Sequence, residues 1–343
     1  MYYNNKDVRV EEMPVPKIGP GELLVKVYAS GICGSDVMEW YRKKKAPRVL
    51  GHEMTGEIVE VGESVRNYKK GDRVFVSHHV PCNKCYYCLK GSHTACETLH
   101  KTNYDPGGFA EYIRIPEINV DRGVYLLPAG MSYEEGTFIE PLACVVRGQR
   151  LARLRPGQTV LVIGSGMSGL IHIKLARSLG AGRIIATDIT EYRLKAAERF
   201  GADAVINAKD DVQKRLLELN ENRFADVVIV CAGSLKASTE ALKCIDKGGT
   251  ALFFAVPDPE TMVPVAMNDM WRNEIKLMTS YGASPLDLEI AINLMKNKRI
   301  VLNDMITHRL SFDECRLGFH LVADAKESIK VIFEPHKKES NKQ

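Results

Sequence analysis

"VLVIGSGMSGLIHIKLA", Val160–Ala176, joins an apolar run, a glycine-punctuated turn and a helical pattern. The turn reads G-x-G-x-x-G at Gly164, Gly166 and Gly169. Alone, that spacing is weak evidence and also fits an ordinary glycine turn. Its context decides the matter, because an apolar strand precedes it and a helix follows. In that setting Gly164 permits the tight turn and Gly166 lets the backbone approach a pyrophosphate seated on the helix N-terminus. Gly169 lets the helix pack closely on the strand. The same rhythm continues along the chain. Candidate strands at Val160–Ile163, Ile184–Thr187, Ala204–Ile206, Val227–Cys231, Thr250–Ala255 and Ile275–Thr279 alternate with helical patterns such as "EYRLKAAERFG", Glu191–Gly201. Such alternation predicts an α/β unit with a doubly wound parallel sheet. Its second strand ends at Asp188, nineteen residues after Gly169. That carboxylate is placed to accept hydrogen bonds from an adenosine ribose diol. A 2′-phosphate would meet its charge, and Ile189 offers no cation, so NAD is favoured over NADP. The plainer reading of Asp188 is a cap for the next helix. The expected cofactor-binding set is Gly164, Gly166, Met167, Ser168, Gly169, Asp188 and Arg193.

Upstream the pattern differs. "ELLVKVYAS" (22–30), "TGEIVEVGESV" (55–65), "DRVFVSH" (72–78) and "FAEYIRIP" (109–116) are short alternating runs broken by Gly, Pro and Asn, which suggests an irregular β domain. The change comes near residue 140. After about residue 283 come a helix, "PLDLEIAINLMKNKR", and a strand, "SIKVIFEP"; the tail "HKKESNKQ" is polar and expected to fray. "RKKKAPR", 42–48, reads most simply as a solvated surface turn. A length of 343 residues favours two domains. The 47 basic and 43 acidic residues leave a formal charge of +4, too small to argue for nucleic acid or membrane binding. No signal-peptide pattern and no bilayer-length apolar run is visible, so a soluble cytoplasmic protein is expected.

"PCNKCYYCLKGSHTAC", Pro81–Cys96, holds four of the nine cysteines, at Cys82, Cys85, Cys88 and Cys96. In a reducing compartment such a cluster is more often a metal site than a disulfide or redox device. Two-residue gaps let thiolates converge on one tetrahedral ion, and four thiolates leave no open position for substrate. A structural zinc is expected, and the chemistry must lie elsewhere.

Two further fragments are "GICGSD", Gly31–Asp36, and "GHEMTGEIVEVG", Gly51–Gly62. With Glu140-Pro-Leu142, the cysteine lobe and the glycine turn, they stand in the order found in zinc-dependent medium-chain alcohol/polyol dehydrogenases, which the chain resembles over nearly its whole length. The resemblance implies a GroES-like catalytic domain, residues 1–145 completed by 284–343, and a Rossmann NAD-binding domain, residues 146–283. It implies two zinc ions per chain. Cys33 and His52 would hold the catalytic one. Glu53 matches a carboxylate that binds the metal in the polyol branch. Glu140 matches a position that is Glu in sorbitol and threonine dehydrogenases. Taken singly, Cys33 could be a core thiol, His52 a structural histidine and Glu140 a helix N-terminal charge. Ser35 matches the hydroxyl that takes the alcohol proton and passes it toward the nicotinamide ribose. Asp36 would anchor the loop and hydrogen-bond His52. The family is also homo-oligomeric, dimer or tetramer.

Two positions depart from the pattern. Relatives carry His where this chain has Met38, and a thioether cannot carry a proton. Where sorbitol dehydrogenases tend to have an Arg-Tyr pair, this chain has Ser280 and Tyr281. Arg147 could face the substrate instead, or be a surface charge, the reading preferred here. The expected substrate is a secondary alcohol of a polyol, with L-threonine the alternative. A zinc-free reductase would lack Cys33, His52 and Glu140, and a non-catalytic zinc or NAD module would have no use for Ser35 beside them.

Overall fold

The computed structural model describes residues 1–337. The polar tail from residue 338 on, where fraying is expected, lies outside the described residues. The chain divides into two compact units. One comprises Met1–Ala143 together with the segment from Ala283 onward, and the other Cys144–Gly282.

The first unit begins with a small antiparallel ribbon, β1 (Tyr2–Asn4) and β2 (Asp7–Val8). Its main sheet is built around β3 (Leu23–Gly31), β4 (Glu53–Val61), β5 (Arg73–Val76), β6 (Tyr112–Ile115) and β7 (Val124–Leu126). Leu23, Val25 and Val27 alternate inward on β3. They meet Met54 and Ile58 of β4, Val74 and Val76 of β5, and Ile113 and Ile115 of β6. One face thus carries an apolar core, as the period-2 pattern demands.

The second unit holds β8 (Thr159–Ile163), β9 (Arg183–Asp188), β10 (Ala204–Asn207), β11 (Ala225–Val230), β12 (Ile245–Phe253) and β13 (Lys276–Thr279). They form one six-stranded sheet in the order β10-β9-β8-β11-β12-β13, and every pairing is parallel. All five residues of β8 are buried, which is why it reads as an unbroken apolar run rather than an alternating one. The order reverses at β8, whose C-terminal end carries the glycine turn. This is the doubly wound, Rossmann-type sheet that the strand–helix alternation predicts.

The last strands, β14 (Ile306–Leu310) and β15 (Lys330–Phe333), return to the first unit. β15 pairs antiparallel with the end of β3, Ile332 opposite Gly31 and Phe333 opposite Ser30, while β6 pairs with its beginning. One strand is therefore flanked on the same side by β6, from the same stretch of the chain before the second unit, and by a strand from the far end of the chain.

The surface reading of Arg147 is overturned, since the residue is 5% exposed. The helix Ile139–Ala152 is buried on nearly all sides over its middle, so it has no solvated face at that position.

Candidate active site

The four-cysteine lobe folds as a loop around a short helix, Tyr86–Leu89. All nine cysteines are free thiols, so no disulfide staples it. The sulfurs of Cys82, Cys85, Cys88 and Cys96 all lie within 4.8 Å of one another. Cys85–Cys88 and Cys82–Cys88 are 3.6 and 4.0 Å apart. A tetrahedral ion with 2.3 Å bonds to sulfur requires edges of about 3.8 Å. Backbone N–H groups already point at the sulfurs: Cys85 N donates to Cys82 Sγ and Cys82 N to Cys96 Sγ. Burial opposes ionisation of Cys96, yet the N–H groups of Cys82 and Leu99 bring its thiol down to about 6. The set fits a structural zinc.

The second cluster forms where β3 ends and β4 begins. Cys33 caps the 3-10 turn Gly34–Val37, with Ser35 N donating to its sulfur at 3.4 Å and its own N–H donating to Asp36 Oδ2 at 3.1 Å. His52 and Glu53 follow Gly51, whose φ of +91° favours glycine and sets the chain's entry into β4. The ligand atoms of Cys33, His52 and Glu53 lie within 4.8 Å of one another. His52 Nδ1 is 3.5 Å from Asp36 Oδ1, which leaves Nε2 for a metal. Burial would lower the His52 imidazole, but the negative charges of Asp36 and Cys33 hold it well above its usual value. Glu53 is fully buried. One of its oxygens is paired with Lys330, also fully buried, while Oε1 has no hydrogen-bond partner. An orphaned carboxylate oxygen beside a thiol and an imidazole is satisfied by a cation, so the residues fit a zinc ion.

Glu140 is not in that three-residue group. It occupies the first turn of the helix Ile139–Ala152. The phenol of buried Tyr104 is raised well above its usual value, first by burial and then by the charges of Glu140, Asp36 and Glu53, so Glu140 bears on the same neighbourhood.

Three features around the cluster carry no family motif in the sequence. Lys330 is the first. A lone cation in the apolar strand "IKVIF" was its only signal. Its ammonium also sits 5.4 Å from the Phe138 ring centroid, and a Cβ on Gly31 would collide with it. The second is the pair His78 and His79 just after β5. The His78 ring is 5.0 Å from His52 and 3.8 Å from His79. Burial, followed by neighbouring positive charge, lowers both imidazoles, His79 to about 3. The third is Arg42. Lys43, Lys44 and Lys45 are exposed, but Arg42 is not a solvated turn residue; its side chain is 15% exposed and reaches Ser35 and Asp36. Met38 is half-buried and starts the short helix, Glu39–Arg42, that carries Arg42 there.

In the second unit the glycine turn closes as its spacing predicts. Gly164 has φ +94°, and a Cβ on Gly169 would strike the Gly164 carbonyl. Gly166 caps the helix Met167–Ser178, whose first residues are Met167 and Ser168. Asp188 ends β9 and ties the turn together. Its Oδ2 accepts from Ser165 N at 2.9 Å, and its Oδ1 from Thr190 N and Oγ1 at 3.0 and 3.1 Å. Each carboxylate oxygen accepts about two bonds, so Oδ1 is filled and Oδ2 keeps one position for a ribose hydroxyl. Arg193 Nη1 stands 3.9 Å from Asp188 Oδ2, and its buried Nε has no hydrogen-bond partner. A free helix N-terminus, a carboxylate and an under-satisfied guanidinium together fit a dinucleotide.

Comparison with known proteins agrees with this geometry. The alcohol dehydrogenase GroES-like domain model matches residues 19–125, and the zinc-binding dehydrogenase model matches residues 169–297. The sorbitol dehydrogenase of Bacillus subtilis is 31% identical over 98% of this chain and 96% of its own. The L-threonine 3-dehydrogenase of Pyrococcus abyssi is 33% identical over 94% and 93%. The solved alcohol dehydrogenase TADH from Thermus sp. ATN1 superposes with a TM-score of 0.87, at 29% identity, over 97% of this chain and 98% of that one.

Proposed function

The chain belongs to the zinc-dependent medium-chain dehydrogenases, and from that premise we propose that it oxidises a secondary alcohol of a polyol, a sugar alcohol or cyclitol, with NAD. The observation that carries the reading is the convergence of Cys33, His52 and Glu53 beside Ser35. Cys33, His52, Glu53 and Glu140 are the proposed holders of the catalytic zinc. A shell with one thiolate, one imidazole and carboxylates is harder than a two-thiolate site and suits an oxygen substrate. When bound, zinc supplies Lewis acidity that lowers the pKa of an alcohol, and the nicotinamide accepts the hydride. The rest is the chain's own work. Ser35 Oγ takes the alcohol proton as its own proton leaves. Asp36 holds His52 in the tautomer whose Nε2 is free. Lys330 balances Glu53 so that the carboxylate can be buried at all. The substrate is a small molecule.

L-Threonine is the second reading, favoured by curated relatives of that name at the same level of identity. A panel of hexitols, pentitols, cyclitols and L-threonine, read by NADH absorbance, tests the choice. Bound zinc of two per chain supports the enzyme, and one per chain supports a non-catalytic module.

The preference for NAD over NADP rests on Asp188. Asp188→Ala is expected to weaken NAD binding by about 1–3 kcal/mol and to leave NADP far less affected. Titration of nucleotide-dependent protein fluorescence checks this, and equal losses for both nucleotides remove Asp188 from the ribose role. Ser35→Ala is expected to cost at least ~10²-fold in turnover, the lower range for a lost acid–base group. Near-normal steady-state rates would discard the proton route.

We further propose a cytoplasmic homo-oligomer. Free thiols suit a reducing compartment, and among the described residues no helix is long and apolar enough to cross a membrane. Strand β13 is an open sheet edge, and Leu277 on it, Met267 and Trp271 before it are exposed. Such an edge is a template for pairing with a second copy.

A further inference from the structure

We propose that Arg42 is a positioning residue for both halves of the proposed reaction centre, a role that rests on the readings of Ser35 and His52 given above. Its guanidinium spans the two. Nε donates to the Ser35 carbonyl at 2.9 Å, and Nη2 donates to Ser35 Oγ at 2.9 Å. The same Nη2 stands 3.2 Å from Asp36 Oδ1, the oxygen that faces His52 Nδ1 at 3.5 Å. Asp36 is completely buried; Oδ2 accepts from Cys33 N–H, while Oδ1 makes no hydrogen bond of good geometry and is held by these two ion contacts. The Tyr41 ring, 4.8 Å from the guanidinium carbon, backs the arginine on another side.

The chemistry of the group then dictates what Ser35 can do. A guanidinium donates only, and it does not lose its proton in proteins. One Ser35 lone pair is therefore committed to Arg42, and the Ser35 O–H cannot point there. What remains on Oγ is one lone pair and one O–H, the minimum for a relay with a single entrance and a single exit. The substrate hydroxyl proton enters on that lone pair as the serine proton leaves from the other side to a water molecule and so to solvent. Serine ends neutral, and Arg42 gains and loses nothing. Arg42 also stands between the hydroxyl and Asp36. The carboxylate is thereby kept off the proton path and reserved for orienting the histidine. The thioether at Met38 cannot relay a proton, and it is Arg42, one helical turn further on, that reaches the serine; its N–H bonds the Met38 carbonyl at 3.0 Å.

A structural arginine would merely brace the loop, and the test separates the two cases. Arg42→Ala, Ser35→Ala and the double variant are compared as zinc-loaded enzyme, with and without added methylguanidine. Arg42→Ala is expected to lose about 10–100-fold in kcat, the range for a lost partner behind a metal ligand, with KM little changed. Methylguanidine should restore part of that loss. Ser35→Ala should cost much less in the Arg42→Ala background than alone. Arg42→Lys should not rescue, because a point charge cannot make the paired contacts. Independently of activity, Arg42→Ala should bind zinc about 10–100-fold more weakly in competition with a chelator, through loosened Asp36 and His52. If Arg42→Ala does not fold, Arg42→Gln keeps the stem and is read for the same kcat loss, non-additivity and zinc competition. A costly Ser35→Ala combined with an additive, unrescued arginine variant of normal zinc affinity overturns the inference alone. A nearly fully active Ser35→Ala overturns the underlying proton route.

Discussion

Lys330→Met is expected to lower the unfolding stability of the first unit by about 3–5 kcal/mol, because it strands a buried carboxylate. Lys330 and Glu53 are both fully buried and paired with each other. Removing the ammonium leaves Glu53 without its cation in a place water does not reach. For a unit of this size a loss of that order moves the melting transition down by roughly 10 °C. The loss should be largest after chelator treatment, when no other cation stands near Glu53. Adding Glu53→Gln should recover most of the stability, since an amide carries no charge to desolvate. Chemical unfolding of the zinc-loaded and chelator-treated proteins checks all three statements. A single-variant cost below ~1 kcal/mol would mean that Glu53 is already compensated by another group.

Cys96→Ser is expected to damage folding far more than catalysis. The lobe has almost no apolar interior, only Cys88, Cys96 and Leu99 being buried together. Hydrophobic burial therefore cannot hold it, and the thiolate shell must. Structural zinc sites of this kind supply about 10–16 kcal/mol of apparent binding free energy coupled to folding. An opened three-thiolate shell forfeits much of that. The melting transition should fall well below that of the parent, and bound zinc should fall from two per chain to one. The fraction that stays folded should still turn over. A variant with native stability, full zinc content and no activity would contradict the structural role.

What could be read in advance follows from the range of the interactions involved. The parallel strands were legible because a strand buried on both faces, such as Thr159–Ile163, is a continuous apolar word between glycines. β12 was legible only from Thr250 onward. It begins at Ile245 and passes through Asp246, Lys247, Gly248 and Gly249, where the register shifts and the apolar signal vanishes. The candidate metal cluster was legible because Cys33 and the adjacent pair His52 and Glu53 each sit in a short motif, and the fold brings their ligand atoms within 4.8 Å of one another. Lys330 was not, since its partner lies 277 residues away and no local pattern reports that distance. Arg42 was hidden differently. It opens a run of basic residues whose next three members are solvated, and only the short helix from Glu39 turns it inward. Arg147 misled for the opposite reason, because a single charge on a helix buried all round resembles a surface residue in sequence.

The late strand β15 has a bearing on how the protein is made. Gly31 leaves the ribosome about 300 residues ahead of its sheet partner Ile332, a gap of roughly 15–60 s at ordinary synthesis rates. Through that interval the growing chain holds β3 without one neighbour and Glu53 without its counter-ion. The Rossmann-type unit, whose strands all lie between Thr159 and Thr279, is fully synthesised first and can close while the earlier-born sheet waits. A nascent chain cut short before Lys330 lacks both the strand that completes this side of β3 and the ammonium paired with Glu53.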